Sequence, residues 1–96
     1  MTIGIVAKLK VAAGKNAEFE EIFSVLAAAT RKDEPGNNFY ALHKSKTDPQ
    51  TYVVLENYKD QAAVDAHMGS PHFQAGFKKM GACLAGAPEI EMLDGV

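Results

Sequence analysis

The sequence predicts an α+β fold in which helices cover one face of a four-stranded antiparallel sheet. Two hydrophobic periodicities alternate along its 96 residues: a repeat of two, typical of strands, and a repeat of three to four, typical of helices. The predicted order is β-α-β-β-α-α-β, with a short polar hairpin loop between the second and third strands. This is the order of a ferredoxin-like split β-α-β whose second helix is broken. Residues 1–96 are expected to form a single domain.

The first strand and the first helix have the most regular patterns. Residues 2–11 form the predicted strand, and its alternating apolar face consists of Ile3, Ile5, Ala7, Leu9 and Val11. Residues 15–32 form the predicted helix, and its apolar positions, three and four apart, are Phe19, Ile22, Phe23, Leu26 and Ala29 or Thr30. Acidic residues lie early in this helix and basic residues late, as the helix dipole favours. The turn-forming residues 33–37 end it.

The second and third strands are predicted over residues 38–46 and 51–59, joined by a hairpin loop at residues 47–50. If Lys46 pairs with Thr51, Glu56 lies opposite Ala41 and one step diagonal from His43. We therefore expect a carboxylate–imidazole pair on this face. A slip of one residue would place the two side chains on opposite faces of the sheet.

Two helices and a strand complete the predicted fold. Asp60 caps a short helix over residues 61–68, which ends at Gly69. Ser70 caps the next helix and Pro71 occupies its first position, where a missing N–H costs nothing. This helix runs to about Cys83, and its expected buried residues are Phe73, Phe77, Met80 and Leu84. Residues 88–93 form the fourth strand.

Composition and charge exclude several classes of function. The net charge is −2, without the basic excess of a nucleic-acid-binding protein. The apolar runs are too short for a membrane span, and the N-terminal residues alternate like a strand rather than a signal peptide. Cys83 is the only cysteine, so no internal disulfide is expected and its thiol is expected to be buried and inert. We expect a cytoplasmic protein that binds neither nucleic acid nor membranes.

Both faces of the predicted strands carry apolar residues. Helices on one face of the sheet would leave the other face in need of a partner. A homodimer formed through the open sheet faces is therefore expected.

Most groups able to move a proton near neutral pH lie within one stretch, residues 56–73. His67 and His72 flank the turn at Gly69, and an imidazole titrates close to working pH, so one could act as a general base and the other could orient a substrate. The structural alternative is that His72 bonds locally and His67 caps the short helix. No metal site is expected, because the two histidines are five residues apart and no third ligand is evident.

Glu56 lies among apolar neighbours on the third strand. Such a carboxylate either has a raised pKa and transfers protons or is neutralised by a partner, for which His43 is the candidate. Tyr58 could bind a substrate oxygen, or it could simply pack with its hydroxyl at the edge. Aromatic residues at helical spacing could wall a cavity for a planar ligand or form plain core, and they are Phe23, Phe73 and Phe77.

Three phrases of the sequence resemble one family: EPGNNFYALHKS, VLENYKDQAAVDAH and SPHFQAGF. In order and spacing they are similar to the antibiotic biosynthesis monooxygenase domain superfamily over nearly the whole chain. The resemblance implies a dimeric α+β barrel with a substrate cavity between the sheet and the helices of each subunit. For oxygenase members it implies that an electron-rich phenol or quinol is deprotonated and reduces O2 itself, without flavin, haem or metal.

Branches of this superfamily differ in activity. The haem-degrading branch uses an Asn, a Trp and a His, whereas this chain has no Trp, no Asn on strand one, and Phe77 at the position aligned with that His. The antibiotic-pathway oxygenases also use a Trp in this region. The resemblance is better to quinol oxygenases and to the isomerase of phosphorylated autoinducer-2, which share a His ending the short helix and a Pro-His opening the next.

The sequence thus predicts a cofactor-independent monooxygenase that oxidises an aromatic, quinol or polyketide-like substrate with O2. Its expected catalytic residues are His67, His72 and Glu56, and its expected substrate-binding residues are Tyr58, His43, Phe23, Phe73 and Phe77. One alternative is an isomerase of a small phosphorylated compound, whose phosphate would need a cation, for which the candidates are Lys44, Lys59, Lys78 and Lys79. The other is a ligand-binding homodimer without enzymatic activity.

Overall fold

A computed structural model describes all residues from Met1 to Val96. The predicted elements and their order are confirmed, with the bounds β1 Ile3–Lys10, α1 Asn16–Asp33, β2 Asn37–Lys44, β3 Thr51–Tyr58, α2 Gln61–Met68, α3 Pro71–Gly81 and β4 Glu89–Asp94. The strands form one antiparallel sheet in the order β2-β3-β1-β4. This is the α+β, ferredoxin-like arrangement with a four-stranded antiparallel sheet.

The predicted register between β2 and β3 is wrong by one residue. Tyr40, not Ala41, pairs with Glu56, and His43 pairs with Val53. His43 therefore lies on the opposite face of the sheet from Glu56, and the expected carboxylate–imidazole pair does not form.

The physical cause of the shift is the hairpin loop. Ser45 N–H donates to the Thr51 carbonyl over 2.9 Å and closes the hairpin, so the loop is one residue longer than predicted. Side chains within the loop satisfy its backbone: Ser45 Oγ accepts from the N–H groups of Thr47 and Asp48, and Asp48 Oδ1 accepts from Gln50 N–H. The hydrophobic pattern does not give the length of this loop, so the predicted inward face of β2 is wrong together with its register.

Helices α2 and α3 begin at the predicted caps, and all three helices pack on one face of the sheet. Asp60 accepts a hydrogen bond from Ala63 N–H at the start of α2, and Ser70 accepts one from Phe73 N–H at the start of α3. Helix α1 buries one apolar stripe in the main core, including Phe19, Phe23 and Leu26. None of the three helices is both long and apolar enough to cross a membrane.

Two regions of apolar surface remain uncovered. We call the side of the sheet away from the helices the open face, and its exposed large apolar residues are Phe39, Leu55 and Leu93. On the helical side, β4 lies at the sheet edge, and its Ile90 and Met92 are about half exposed.

Two residues predicted to be buried on α3 differ from expectation: Phe77 is 44% exposed, and Leu84 lies beyond the helix in an isolated bridge with Val11.

Candidate active site

A cavity of about 360 Å³ lies between the sheet and helices α2 and α3. Ten of its twelve lining residues are hydrophobic, so it suits a largely apolar ligand. The lining consists of Ile5, Ala7, Leu9, Tyr40, Val54, Glu56, Met68, Phe73, Phe77, Met80, Pro88 and Ile90. Glu56 is the only carboxylic acid in it, and Tyr40 is the only residue with a hydroxyl group.

Glu56 is held in the cavity wall by the alternation of β3, which turns it inward together with Tyr58. It is 8% exposed, and the Tyr58 hydroxyl donates a hydrogen bond to its Oε1 over 2.8 Å. Burial raises the pKa of Glu56 to about 7, the Tyr58 hydrogen bond opposes this rise, and the negative charge of Glu34 adds to it. A carboxyl group with this pKa gains or loses a proton near neutral pH, as a general base requires.

His67 lies directly behind Glu56, in the last turn of α2, and is completely buried. Its ring packs against the rings of Tyr40, Tyr58 and Phe73, with centroid distances of 5.1, 5.2 and 4.7 Å. Burial lowers the pKa of His67, and the hydrogen bond to the Glu34 carboxylate opposes that change. At neutral pH the imidazole is therefore uncharged.

The two ring nitrogens of His67 have different surroundings. Nδ1 lies 3.0 Å from both carboxylate oxygens of Glu34. Nε2 has no hydrogen-bond partner, although Glu56 Oε1 lies 3.8 Å away. An unpaired polar atom in a fully buried ring is uncommon and calls for an explanation.

Glu34 is the site residue that the sequence patterns did not identify. It follows α1 as the C-cap residue, is 9% exposed, and accepts hydrogen bonds from both His67 and His72. The turn that carries it packs so closely on α2 that a Cβ atom added at Gly36 would lie only 2.5 Å from Ala63 Cβ. One signal could have identified Glu34: an acidic side chain at a helix C-terminus opposes the helix dipole, so some other interaction must favour it.

His72 does not face the cavity. Its Nε2 is hydrogen-bonded to Glu34 Oε2, and its side chain is 17% exposed. Together with Glu34 it lines an outer cleft of about 500 Å³ on the other side of His67. The two predicted histidines thus share one carboxylate rather than one substrate cavity.

Glu34, His67 and His72 are also the residues that could hold a metal ion, since their donor atoms all lie within 4.8 Å of one another. The expectation that no third ligand lies near the two histidines is wrong, because the fold brings Glu34 to them. Both imidazoles already use the Glu34 carboxylate as their acceptor, so the cluster is internally hydrogen-bonded.

The predicted substrate-binding residues occupy three different places. Phe73 and Phe77 line the cavity and stack with their centroids 5.4 Å apart. Tyr58 and Phe23 lie behind the lining, the first bonded to Glu56 and the second packed on Tyr40 at 4.9 Å. His43 is exposed on the other face of the sheet and is not part of this site.

Tyr40 is a second residue that the sequence patterns missed, because the predicted register placed Ala41, not Tyr40, opposite Glu56. Its ring lines the cavity, opposite Glu56 on the neighbouring strand. Burial and the negative charges of Glu56 and Glu34 raise the pKa of its hydroxyl, which therefore stays protonated and able to donate a hydrogen bond.

Cys83 is buried, as predicted. Burial raises the pKa of its thiol, and its hydrogen bond to Glu18 acts in the same direction. Since the thiolate is the reactive form, this environment keeps the group unreactive.

Comparison with known proteins supports one family. The chain matches the family model named "Antibiotic biosynthesis monooxygenase" over residues 2–79. It is 38% identical over 82 residues to "Putative monooxygenase YcnE" of Bacillus subtilis (strain 168), a match that covers 85% of this chain and 84% of that protein.

Solved structures agree with this match. A "putative antibiotic biosynthesis monooxygenase" from Caulobacter crescentus CB15 is 47% identical with a TM-score of 0.96, and the match covers 99% of this chain and 90% of that one. A conserved protein from Methanosarcina mazei Go1 is 29% identical with a TM-score of 0.91, over 97% of this chain and 91% of that one. The sheet, the helices and the matched residues lead to the same conclusion: the chain belongs to the antibiotic biosynthesis monooxygenase family.

Proposed function

We propose that this protein is a cofactor-independent monooxygenase that oxidises an aromatic or quinol-like substrate with O2. The observation that carries the proposal is the apolar cavity with one carboxyl group in its wall, whose pKa of about 7 suits it to remove a phenolic proton. Family membership supports the reaction class. The choice of substrate follows from the chemistry of the cavity.

In the proposed reaction, the Glu56 carboxylate takes the proton of a substrate hydroxyl. The resulting anion is electron-rich and transfers an electron to O2, and the two radicals combine to form a C–O bond. The peroxide anion takes the proton back from Glu56 and becomes a hydroperoxide on a ring carbon that also bears a hydrogen. Loss of that C–H proton breaks the O–O bond, and the proton and the departing hydroxide form water, so one oxygen atom remains in a quinone carbonyl and the other leaves as water. The substrate supplies all the electrons, which is why no flavin, haem or metal is required.

The aromatic residues of the cavity suit a planar substrate. Phe73 and Phe77 provide stacked rings on the helical side, and the Tyr40 hydroxyl provides a hydrogen-bond donor on the sheet. Tyr58 orients Glu56 from behind through its 2.8 Å hydrogen bond. We place His67 in support of Glu56 rather than against the substrate, because its ring is completely buried.

The cavity does not favour the isomerase alternative. A phosphorylated substrate needs cationic groups, and no Lys, Arg or His is among the twelve lining residues. The four lysines considered from the sequence lie elsewhere: Lys44 pairs with Glu20 at 3.7 Å, and Lys59, Lys78 and Lys79 are exposed outside the cavity.

We also propose that a second copy of the chain covers the open face. Phe39, Leu55 and Leu93 are 50%, 38% and 43% exposed there, so three large apolar side chains on one face of the sheet remain in water unless a partner covers them. A homodimer formed through this face would bury them and would leave the cavity, on the other side of the sheet, available to substrate.

Oxygen uptake tests the proposed function. Metal-free, chelator-treated protein is mixed with a panel of quinols and polyphenols, beside Glu56→Gln and the matched control Glu21→Gln, an exposed carboxylate on α1. We expect uptake above autoxidation for the wild type and the control, and a loss of about 100-fold for Glu56→Gln. Equal uptake by wild type and Glu56→Gln would contradict the assignment of the base. No uptake with any substrate would contradict the reaction class and leave the ligand-binding dimer as the better description.

A further inference from the structure

Glu34, His67 and Glu56 form a line that begins at the outer cleft and ends in the cavity. Glu34 lines the cleft, the His67 ring is buried between the two carboxylates, and Glu56 lines the cavity. The ring reaches Glu34 with Nδ1 at 3.0 Å, and its Nε2 lies 3.8 Å from Glu56 Oε1. This second distance is longer than a hydrogen bond and short enough for a small side-chain rotation to close.

The chemistry of the two neighbours fixes the position of the imidazole proton. A neutral imidazole carries one N–H, and an ionised carboxylate only accepts hydrogen bonds. Nδ1 faces both oxygens of Glu34, so the proton lies on Nδ1. Nε2 is left with a free lone pair, which accounts for its missing partner.

We propose that Glu34 is a positioning residue of the oxidation site: it holds His67 in the Nδ1–H tautomer, so that Nε2 takes a proton from Glu56 during turnover. This inference rests on the proposed function, in which Glu56 is the base. Glu34 touches no substrate and acts only through the ring of His67.

The proton taken from the substrate stays within the site throughout this step. The substrate hydroxyl gives its proton to Glu56, and Glu56 passes it to His67 Nε2 and becomes a carboxylate again. The imidazolium formed lies between two carboxylates, and its charge is stabilised by Glu34 at Nδ1 and by Glu56 at Nε2. The proton returns through Glu56 to the terminal oxygen of the peroxide anion and gives the hydroperoxide. The C–H proton of the same ring carbon then joins the hydroxide that leaves when the O–O bond breaks, so water is released. No net proton has to leave the buried site.

Five ionisable groups from four elements of the fold surround the His67 ring. Glu34 follows α1, His72 comes from α3, Glu56 and Tyr58 come from β3, and Tyr40 comes from β2. Of these groups, only Glu34 contacts a ring nitrogen within hydrogen-bond distance.

The His72 hydrogen bond gives Glu34 a second anchor. His72 Nε2 bonds the same Oε2 atom that His67 approaches, so the carboxylate is fixed from two helices. A carboxylate at the C-terminus of α1 works against the helix dipole, and these two N–H donors supply the compensating interaction.

Histidine NMR tests the tautomer without any substrate. The chain has three histidines, so ¹⁵N-labelled histidine gives a simple spectrum, which His43→Gln and His72→Gln variants assign by removing one signal set each. We expect His67 to be protonated at Nδ1 in the wild type. In Glu34→Met, which keeps the side-chain size and removes the acceptor, we expect the proton to move to Nε2, where Glu56 can accept it. In Glu34→Gln the amide oxygen still accepts, so the Nδ1–H form remains.

Kinetics test the consequence for turnover. Relative to wild type and to a Glu21→Met control, Glu34→Met is expected to lower kcat by about 10- to 100-fold with little change in KM, because it removes a proton-handling interaction and no substrate contact. Glu34→Gln is expected to lower kcat less, since it keeps the tautomer and loses only the charge that stabilises the imidazolium.

The outcomes separate this inference from the proposed function. A wild-type His67 protonated at Nε2, or a Glu34→Met variant with unchanged kcat, would overturn the role of Glu34. If Glu56→Gln abolishes oxidation while Glu34→Met does not affect it, the oxygenase stands and the positioning role fails. If the wild type oxidises nothing, the oxygenase fails, and the catalytic part of this inference fails with it.

Discussion

Replacing Glu56 with Gln tests the central electrostatic feature of the site through protein stability alone. The folded protein holds the pKa of Glu56 at about 7, against an ordinary value of 4.5. Between these two pH values the unfolded chain has released the proton and the folded chain has kept it. The folded state therefore binds more protons, and the contribution of Glu56 to stability falls as the pH rises.

The magnitude follows from the size of the shift. A difference of about 2.5 pH units corresponds to roughly 3 kcal/mol at 1.36 kcal/mol per unit. This penalty is absent below pH 4.5, grows as the pH rises to about 7, and is constant above that. Glutamine has no charge to bury, and its carbonyl can accept the Tyr58 hydrogen bond, so Glu56→Gln avoids the penalty.

Urea denaturation of wild type and Glu56→Gln from pH 4.5 to pH 8.5 measures the effect. We expect the variant to gain stability relative to wild type as the pH rises, by roughly 3 kcal/mol in total, with most of the change below pH 7. Taking the difference between the two proteins removes the titrations that they share. A difference that does not vary with pH would show that Glu56 is not held in a raised-pKa environment, and the assignment of a base to the cavity would lose its physical basis.

Three further predictions concern the site, the turn and the open face. Tyr58→Phe removes the hydrogen bond that lowers the pKa of Glu56, so the midpoint of the rate–pH profile should rise by about 1 unit, and an unchanged midpoint would contradict this role. Gly36→Ala places a Cβ atom 2.5 Å from Ala63 Cβ, so urea denaturation should show a fold destabilised by about 1–3 kcal/mol. In the control Gly81→Ala the added Cβ meets no atom within 4 Å, and the free energy of unfolding should not fall. Leu55→Lys places a charge in the apolar open face and should convert the dimer to a monomer in light-scattering measurements. The control Ala82→Lys, at the exposed end of α3, should leave the dimer intact. A monomeric wild type would contradict the proposed dimer.

The architecture could be predicted from the sequence because each element carries its own signal. The spacing of Phe19, Phe23 and Leu26 predicts a helix without reference to any other part of the chain, and Ser70 followed by Pro71 predicts where α3 begins. The register of β2 against β3 depended instead on the loop, because the Ser45 and Asp48 side chains stabilise a loop that is one residue longer than predicted. Periodicity does not contain that information.

The site was predictable only in part, for a related reason. Glu56, His67 and His72 could be found because they are unusual at their positions: a carboxylate among apolar strand residues, and histidines at a helix break. Their relation to one another depends on Glu34, which follows the far end of α1 and comes into contact only after the helices have packed on the sheet. Without it, the two histidines looked like partners at one substrate, whereas they are partners at one carboxylate.

The position of β4 has a consequence for how the substrate range of such a protein can change. One part of the cavity wall, including Leu9, Val54 and Met80, also belongs to the main hydrophobic core. Another part, formed by Phe77, Pro88 and Ile90, lines the cavity but lies outside that core. Substitutions in this outer wall reshape the cavity without removing packing on which folding depends. The wall beside β4 is therefore where related sequences can diverge in substrate preference, and where a designed library can alter it, while the proton-handling residues stay in place.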